Sequence, residues 1–92
     1  MQPKYRCNLF VTLKRLGSPA ASEDLIYEVE FPYVPRKHDE LHFPSVEGKV
    51  RDVHYNVRDN AFDVWMEDAS TSVFEAQLAA YFADGFKRNT WD

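Results

Sequence analysis

From Tyr5 to Leu16 the chain alternates: Tyr5, Cys7, Leu9, Val11 and Leu13 share one parity, while Arg6, Asn8, Thr12 and Lys14, with Phe10 among them, share the other. Successive side chains of an extended strand point to opposite faces, so this period of two commits the segment to a strand with one buried face. The pattern resumes at Leu25 and carries Tyr27, Val29, Phe31 and Tyr33. Gly17-Ser18-Pro19-Ala20-Ala21-Ser22 separates the two runs with turn-forming residues, which predicts an antiparallel hairpin with strands at about 5–16 and 24–34. Pro32 and Pro35 lack the N–H that a ladder needs, so pairing is expected to fail at the far end.

Arg36-Lys37-His38-Asp39-Glu40 reads as a polar linker, and Leu41-His42-Phe43 as a brief strand that Pro44 ends. After Gly48 the apolar positions slip from even at Val50 to odd at Val53, Tyr55 and Val57. A slip of one residue inside a strand marks a β-bulge, here near Arg51-Asp52 in a strand at about 49–58. Arg58-Asp59-Asn60 makes the next turn, with Asn60 best able to take the left-handed conformation. A strand at about 61–67 then sets Phe62, Val64 and Met66 against Asp63, Trp65 and Glu67. From Ser72 the period becomes helical. Ser72 with Glu75 fits a capping box, Phe74, Leu78, Tyr81, Phe82 and Phe86 recur at helical spacing, and Gly85 suits the C-cap, so a helix is expected over about 72–85. Lys87 and Arg88 follow where positive charge complements the helix dipole. Val73, Ala76, Ala80 and Ala83 form a small-residue stripe behind the aromatic face.

The chain of 92 residues suffices for a single domain over 1–92, and its aromatic content of 15% provides large buried areas per side chain. The expected class is α+β, mainly β: five antiparallel strands and a C-terminal helix. A helix about 10 Å wide shields only two or three strands spaced about 4.8 Å apart. The apolar strand faces exceed that cover, which predicts a strongly bent sheet or a small, partly open barrel. The order of His38-Asp39-Glu40-Leu41, Gly48-Lys49-Val50, Val53 and Phe62-Asp63-Val64, about a third of the chain, resembles the SH3-like barrels. Such barrels serve protein, nucleic-acid and structural roles alike, so the resemblance implies a fold and leaves function open.

A formal charge of −4 opposes generic attraction to phosphate backbones or anionic lipid. Single Cys7 cannot form an internal disulfide, the start of the chain lacks the apolar run of a signal peptide, and no long apolar segment occurs, so a cytoplasmic protein without a membrane span is expected. His38-Asp39-Glu40-Leu41-His42 echoes the zinc-protease pattern His-Glu-x-x-His, but Pro35 and Pro44 deny it the required helix. Read as a strand, it puts His38, Glu40 and His42 on one side, where His54 or a water would complete a metal site for an enzyme. Glu28 and Glu30 alternate on an outward face at a spacing that suits glycosidic acid-base work, but this reads better as a solvated face. The three glycines are too dispersed for a phosphate loop, and no cofactor is expected.

The informative anomaly is large apolar side chains at outward parity: Phe10 among Arg6, Thr12 and Lys14, and Trp65 between Asp63 and Glu67. Tryptophan dominates binding hot spots, and an acidic rim selects a basic partner. The leading expectation is therefore a non-enzymatic binding protein that contacts a protein partner or a second copy through Trp65 and Phe10, with His54, Asn56 and Arg58 nearby. A nucleic-acid-binding barrel using Arg36, Lys37, Lys49 and Arg51 is the second reading, and the metal-dependent enzyme the third.

Overall fold

The computed structural model describes residues 4–89. Along the chain come β1 (Tyr5–Arg15), β2 (Ser18–Phe31), β3 (Glu40–His42), β4 (Glu47–Asn56), β5 (Ala61–Met66), β6 (Ala69–Thr71), α1 (Phe74–Asp84) and β7 (Lys87–Arg88). Among the described residues the sheet has seven strands in the order β3-β4-β5-β1-β2-β7, with β6 beside β1. It is open, β3 ending one side and β7 the other.

The β1–β2 hairpin forms as its alternation dictates, in unbroken register from Tyr5 opposite Phe31 to Lys14 opposite Ser22. Its turn is tighter than the sequence suggests. Arg15 lies opposite Ser18, so Leu16-Gly17 alone closes the hairpin, and the rest of the expected loop is strand with a register shift beyond Lys14. Gly17 takes φ 78°, which the turn requires. In β4 the shift falls between Val50 and Asp52, as the phase slip at Arg51 foretells. Asn60 takes φ 52° in the β4–β5 turn.

One expectation fails on direction. The sheet is not wholly antiparallel, because β1 pairs in parallel with β5, Cys7 opposite Phe62 to Phe10 opposite Trp65, and with β6, Leu13 opposite Ala69 to Arg15 opposite Thr71. The two hairpins thus join side by side through their first and last strands, and β5 and β6 follow one side of β1 with an interruption at Glu67-Asp68. The count rises from five to seven because β6 and β7, of 3 and 2 residues, are too short to display a period.

The helix begins later than its sequence signature. Val73 is the N-cap and no side chain caps the helix; Thr71 Oγ1 instead accepts the Val73 N–H at 3.1 Å. Ser70 and Thr71 are drawn into β6 by pairing with β1, which moves the helix start past Ser72. At the other end Gly85 closes the helix with φ 115°, its N–H donating to Phe82 O and Tyr81 O. Lys87 and Arg88 then pair with Ile26 and Leu25 rather than flanking the helix end.

Helix α1 covers the odd face of β1, where Leu9 and Leu13 are 0% exposed, by means of Phe74, Leu78 and Tyr81. The apolar area is too great for this helix, as the sequence argument holds, yet the sheet does not close. The β2–β4 connection provides a second cover: Pro35, Leu41 and Val46 are buried, and the Phe43 ring meets Tyr27 at 6.1 Å and Phe86 at 5.6 Å. The Asp84 carboxylate accepts the N–H groups of Ser45 and Val46 at 2.8 and 2.9 Å, fastening this cover to the helix end. Among the described residues, no helix is long and apolar enough to cross a membrane.

Candidate functional site

Two covers on one face leave the even face of the sheet open. Residues opposite one another in register share a face, so Trp65, Phe10 and Ile26 form one row across β5, β1 and β2, and Asp63, Asn8 and Glu28 form the next. The Phe10 and Trp65 rings stack, with centroids 4.3 Å apart and planes 19° from parallel. Both are half-buried. Neither lies under the helix, since the core face of β1 is the odd one.

Ile26 extends the apolar row and escapes the sequence reading, although its signal was present: an isoleucine at even parity in a run whose odd positions already fill the core. On one side of the ridge lies a depression of about 200 Å3 lined by Thr12, Asp24, Arg51 and Asp68. On the other lies a shallow one of about 760 Å3, whose walls include Arg6, Asn8, Glu28, Asn56 and Asp63. Its floor is fixed by hydrogen bonds. Asp63 accepts from Asn8 Nδ2 at 3.1 Å and from Asn56 Nδ2 at 3.3 Å, and Asn56 also donates to Asp59 at 3.1 Å. Asp24 accepts from the Thr12 hydroxyl at 2.7 Å, and Asp68 pairs with Lys14 at 2.8 Å. Around the apolar row carboxylates therefore outnumber the guanidinium groups of Arg6 and Arg51.

Of the remaining expected anchors, His54 lies opposite Asp63 and Asn56 opposite Ala61, so both share this face. His54 Nε2 stands 3.0 Å from Asp52 Oδ2, and Asp52 also accepts the Val53 N–H. The His54 hydrogen bond, aided by the Val53 N–H, holds the Asp52 carboxyl below its usual range. Arg58 sits in the exposed β4–β5 turn rather than in the rows of the sheet.

The four basic residues of the nucleic-acid reading do not share a groove. Arg36 lines a depression with Tyr5, Pro32 and Tyr33, Lys49 one with Glu40, His42 and Glu47, and Arg51 the one beside Trp65. Lys37 is exposed and close enough to Asp52 to lower its pKa. The histidines are also separated: His42 lies 2.9 Å from Glu47 and 3.6 Å from Glu40, His54 pairs with Asp52, and His38 occupies a turn at φ 78°. Among the described residues, no group of three or more His, Cys, Asp or Glu is arranged to hold a metal ion. Glu28 and Glu30 occupy the open face as solvated carboxylates, and Cys7 is buried among core side chains, its thiol pushed up by burial. No protein-family model matches the chain, and no curated protein or solved structure matches it either.

Proposed function

We propose that the chain is a non-enzymatic binding protein whose open sheet face, centred on Phe10 and Trp65, docks a basic surface of a partner protein. The observation that carries this reading is the Phe10–Trp65 stack at 4.3 Å on the face that neither α1 nor the β2–β4 connection covers. Stacked rings already fixed against each other lose little rotamer freedom on binding, so their remaining exposed area converts efficiently into affinity. Asp24, Glu28, Asp63 and Asp68 beside them favour a cationic partner and disfavour a face-to-face contact between two copies. The segment from His38 to Glu67, whose order resembles the SH3-like barrels, would supply β3 to β5 of this surface, with His54 and Asn56 at its rim.

Affinity capture from a native extract tests the proposal, using the intact chain, Trp65→Ala and Val57→Ala side by side. Val57 is 80% exposed in the β4–β5 turn and serves as an apolar control away from the stack. A specific basic partner retained by the intact chain and Val57→Ala, and lost with Trp65→Ala while that variant stays folded, is the expected result. Equal retention by all three removes the stack from the contact. The nucleic-acid reading has less support, because Arg36, Lys49 and Arg51 line separate depressions. No retention of single-stranded or duplex oligonucleotides at low salt would end it.

A further inference from the structure

The strand order leaves one long backbone edge free. Among the described residues, the outer side of β2 meets only β7, at Leu25 and Ile26. The Asn89 N–H donates to Asp24 O at 2.8 Å, so Asp24 directs its backbone groups away from β1. In an antiparallel strand this direction repeats every second residue, so Ile26, Glu28 and Glu30 also face outward, while Tyr27 and Val29 bond to β1. β7 satisfies Ile26. Among the described residues, no strand pairs with the outer side of β2 at Glu28 or Glu30. The register with β1 is unbroken through this stretch, so no bulge twists the edge away, and no proline interrupts it before Pro32.

The opposite edge is treated differently. β3 covers β4 from Glu47 to Lys49, the backbone of Val50 bonds to that of His38 and Asp39, a bulge follows at once, and the next outward N–H, that of Val53, is occupied by the Asp52 carboxylate at 3.0 Å. The occupied part of the β2 edge also shows what this edge accepts. β7 is the dipeptide Lys87-Arg88; Lys87 Nζ lies 3.9 Å from Glu28 Oε1, and Arg88 Nε 3.2 Å from Glu23 Oε1. A basic extended segment is thus already seated on an acidic strand edge, and the vacant continuation carries Glu28 and Glu30, both exposed.

We propose that the outer edge of β2 from Tyr27 to Phe31 binds an extended, lysine- or arginine-rich segment of a partner protein as an added strand. Main-chain bonds to Glu28 and Glu30 supply the affinity, and the two carboxylates select positive side chains at alternate positions. A second copy does not fit: pairing two β2 edges would set glutamates against glutamates. This edge site borders the Phe10–Trp65 face and shares the Glu28 carboxylate with it, but it is made by the β2 backbone, whereas the stack lies on β1 and β5.

Amide hydrogen exchange of the intact chain, followed by NMR, tests the proposal. The probes are a short peptide alternating Lys with Thr and Val, and its counterpart with Glu in place of Lys. In the free chain the Glu28 and Glu30 amides exchange at least about tenfold faster than those of Tyr27 and Val29. Saturating Lys peptide slows Glu28 and Glu30 by about tenfold or more, the Glu peptide does not, and Glu28→Lys with Glu30→Lys abolishes the effect while Tyr27 and Val29 stay protected. Trp65→Ala leaves the effect intact, which separates this site from the proposed face. Slow exchange of Glu28 and Glu30 in the free chain, equal protection by both peptides, or no protection by the Lys peptide overturns the proposal.

Discussion

Gly85 shows how one residue joins the covering elements to the sheet. Its φ of 115° is strained for any L side chain, and a Cβ there would lie 2.8 Å from Tyr27 Cε1, within a ring already tilted against Phe86 at 5.1 Å. Gly48 has a still closer neighbour, Met66 Cε at 2.6 Å, but that atom is the terminal methyl of a flexible side chain. Gly85→Ala should therefore cost about 2–4 kcal/mol and Gly48→Ala about 1 kcal/mol, read from denaturant midpoints at unchanged slope. A second prediction concerns alkali. Burial raises the pKa of Cys7 above 9.0, and that of Tyr81 above 10.0 despite an opposing Gln77 hydrogen bond. A proton bound more tightly in the folded state stabilises it fully below the unfolded pKa, and that contribution is lost as pH rises through the folded pKa. Unfolding free energy should accordingly begin to fall near pH 9.0 in the intact chain, and only near pH 10.0 in Cys7→Ala, whatever that variant's lower starting stability. At this scale the sequence is informative about faces and silent about partners. Parity assigns Phe10 and Trp65 outward, but their stacking depends on a register between strands more than fifty residues apart, and the Asn8–Asp63–Asn56 hydrogen bonds depend on the same register.

At the scale of elements, the β1–β2 hairpin is the unit whose local signals agree most closely with its structure. Alternation fixes both strands, and the faces follow from it. What local reading loses is the extent of β2, because Ser18 to Ser22 have turn-forming composition yet are held extended, Ser18 and Ser22 lying opposite Arg15 and Lys14. The helix start is lost for the same reason: pairing of Ser70 and Thr71 with β1 overrides the capping box at Ser72. The hairpin makes a contrasting pair of proline substitutions informative. Proline removes one N–H, at small cost where that group faces outward and at large cost where it bonds to a neighbouring strand. Glu28 faces the vacant edge and Val29 faces β1. Glu28→Pro should remain folded with a loss of about 1–2 kcal/mol, whereas Val29→Pro should lose about 3 kcal/mol or more, by thermal or chemical unfolding. Equal losses would mean that the inferred orientation of the β2 backbone is wrong.

For the whole molecule, the decisive feature is the parallel join of β1 to β5, which no local pattern encodes. Each hairpin is specified by its own turn, but which strand of one meets which strand of the other is settled only when both sit beneath shared covers. Closure would follow only if α1 were the sole lid, whereas Leu41, Phe43 and Val46 add a second one that the polar and proline-rich linker conceals. An open sheet then has two ends to manage, and they differ: β4 blocks its Val53 N–H with Asp52, while β2 presents Glu28 and Glu30. Unlike edges that meet head to tail make a contact that does not close, so each added copy leaves a new edge exposed. Asp52 is the guard against this outcome. Replacing it by Ala frees the Val53 N–H, and the His54 imidazole, of their shared partner and leaves that N–H open to an incoming strand edge. Asp52→Ala should therefore sediment with a mass that rises with protein concentration, while the intact chain stays at 10.8 kDa. Adding Glu28→Lys and Glu30→Lys to Asp52→Ala should restore the single-chain mass, because the β2 edge would then set lysines beside Lys49 and Arg51 of the β4 edge. Association that persists in the triple variant would point to a contact other than β4 against β2.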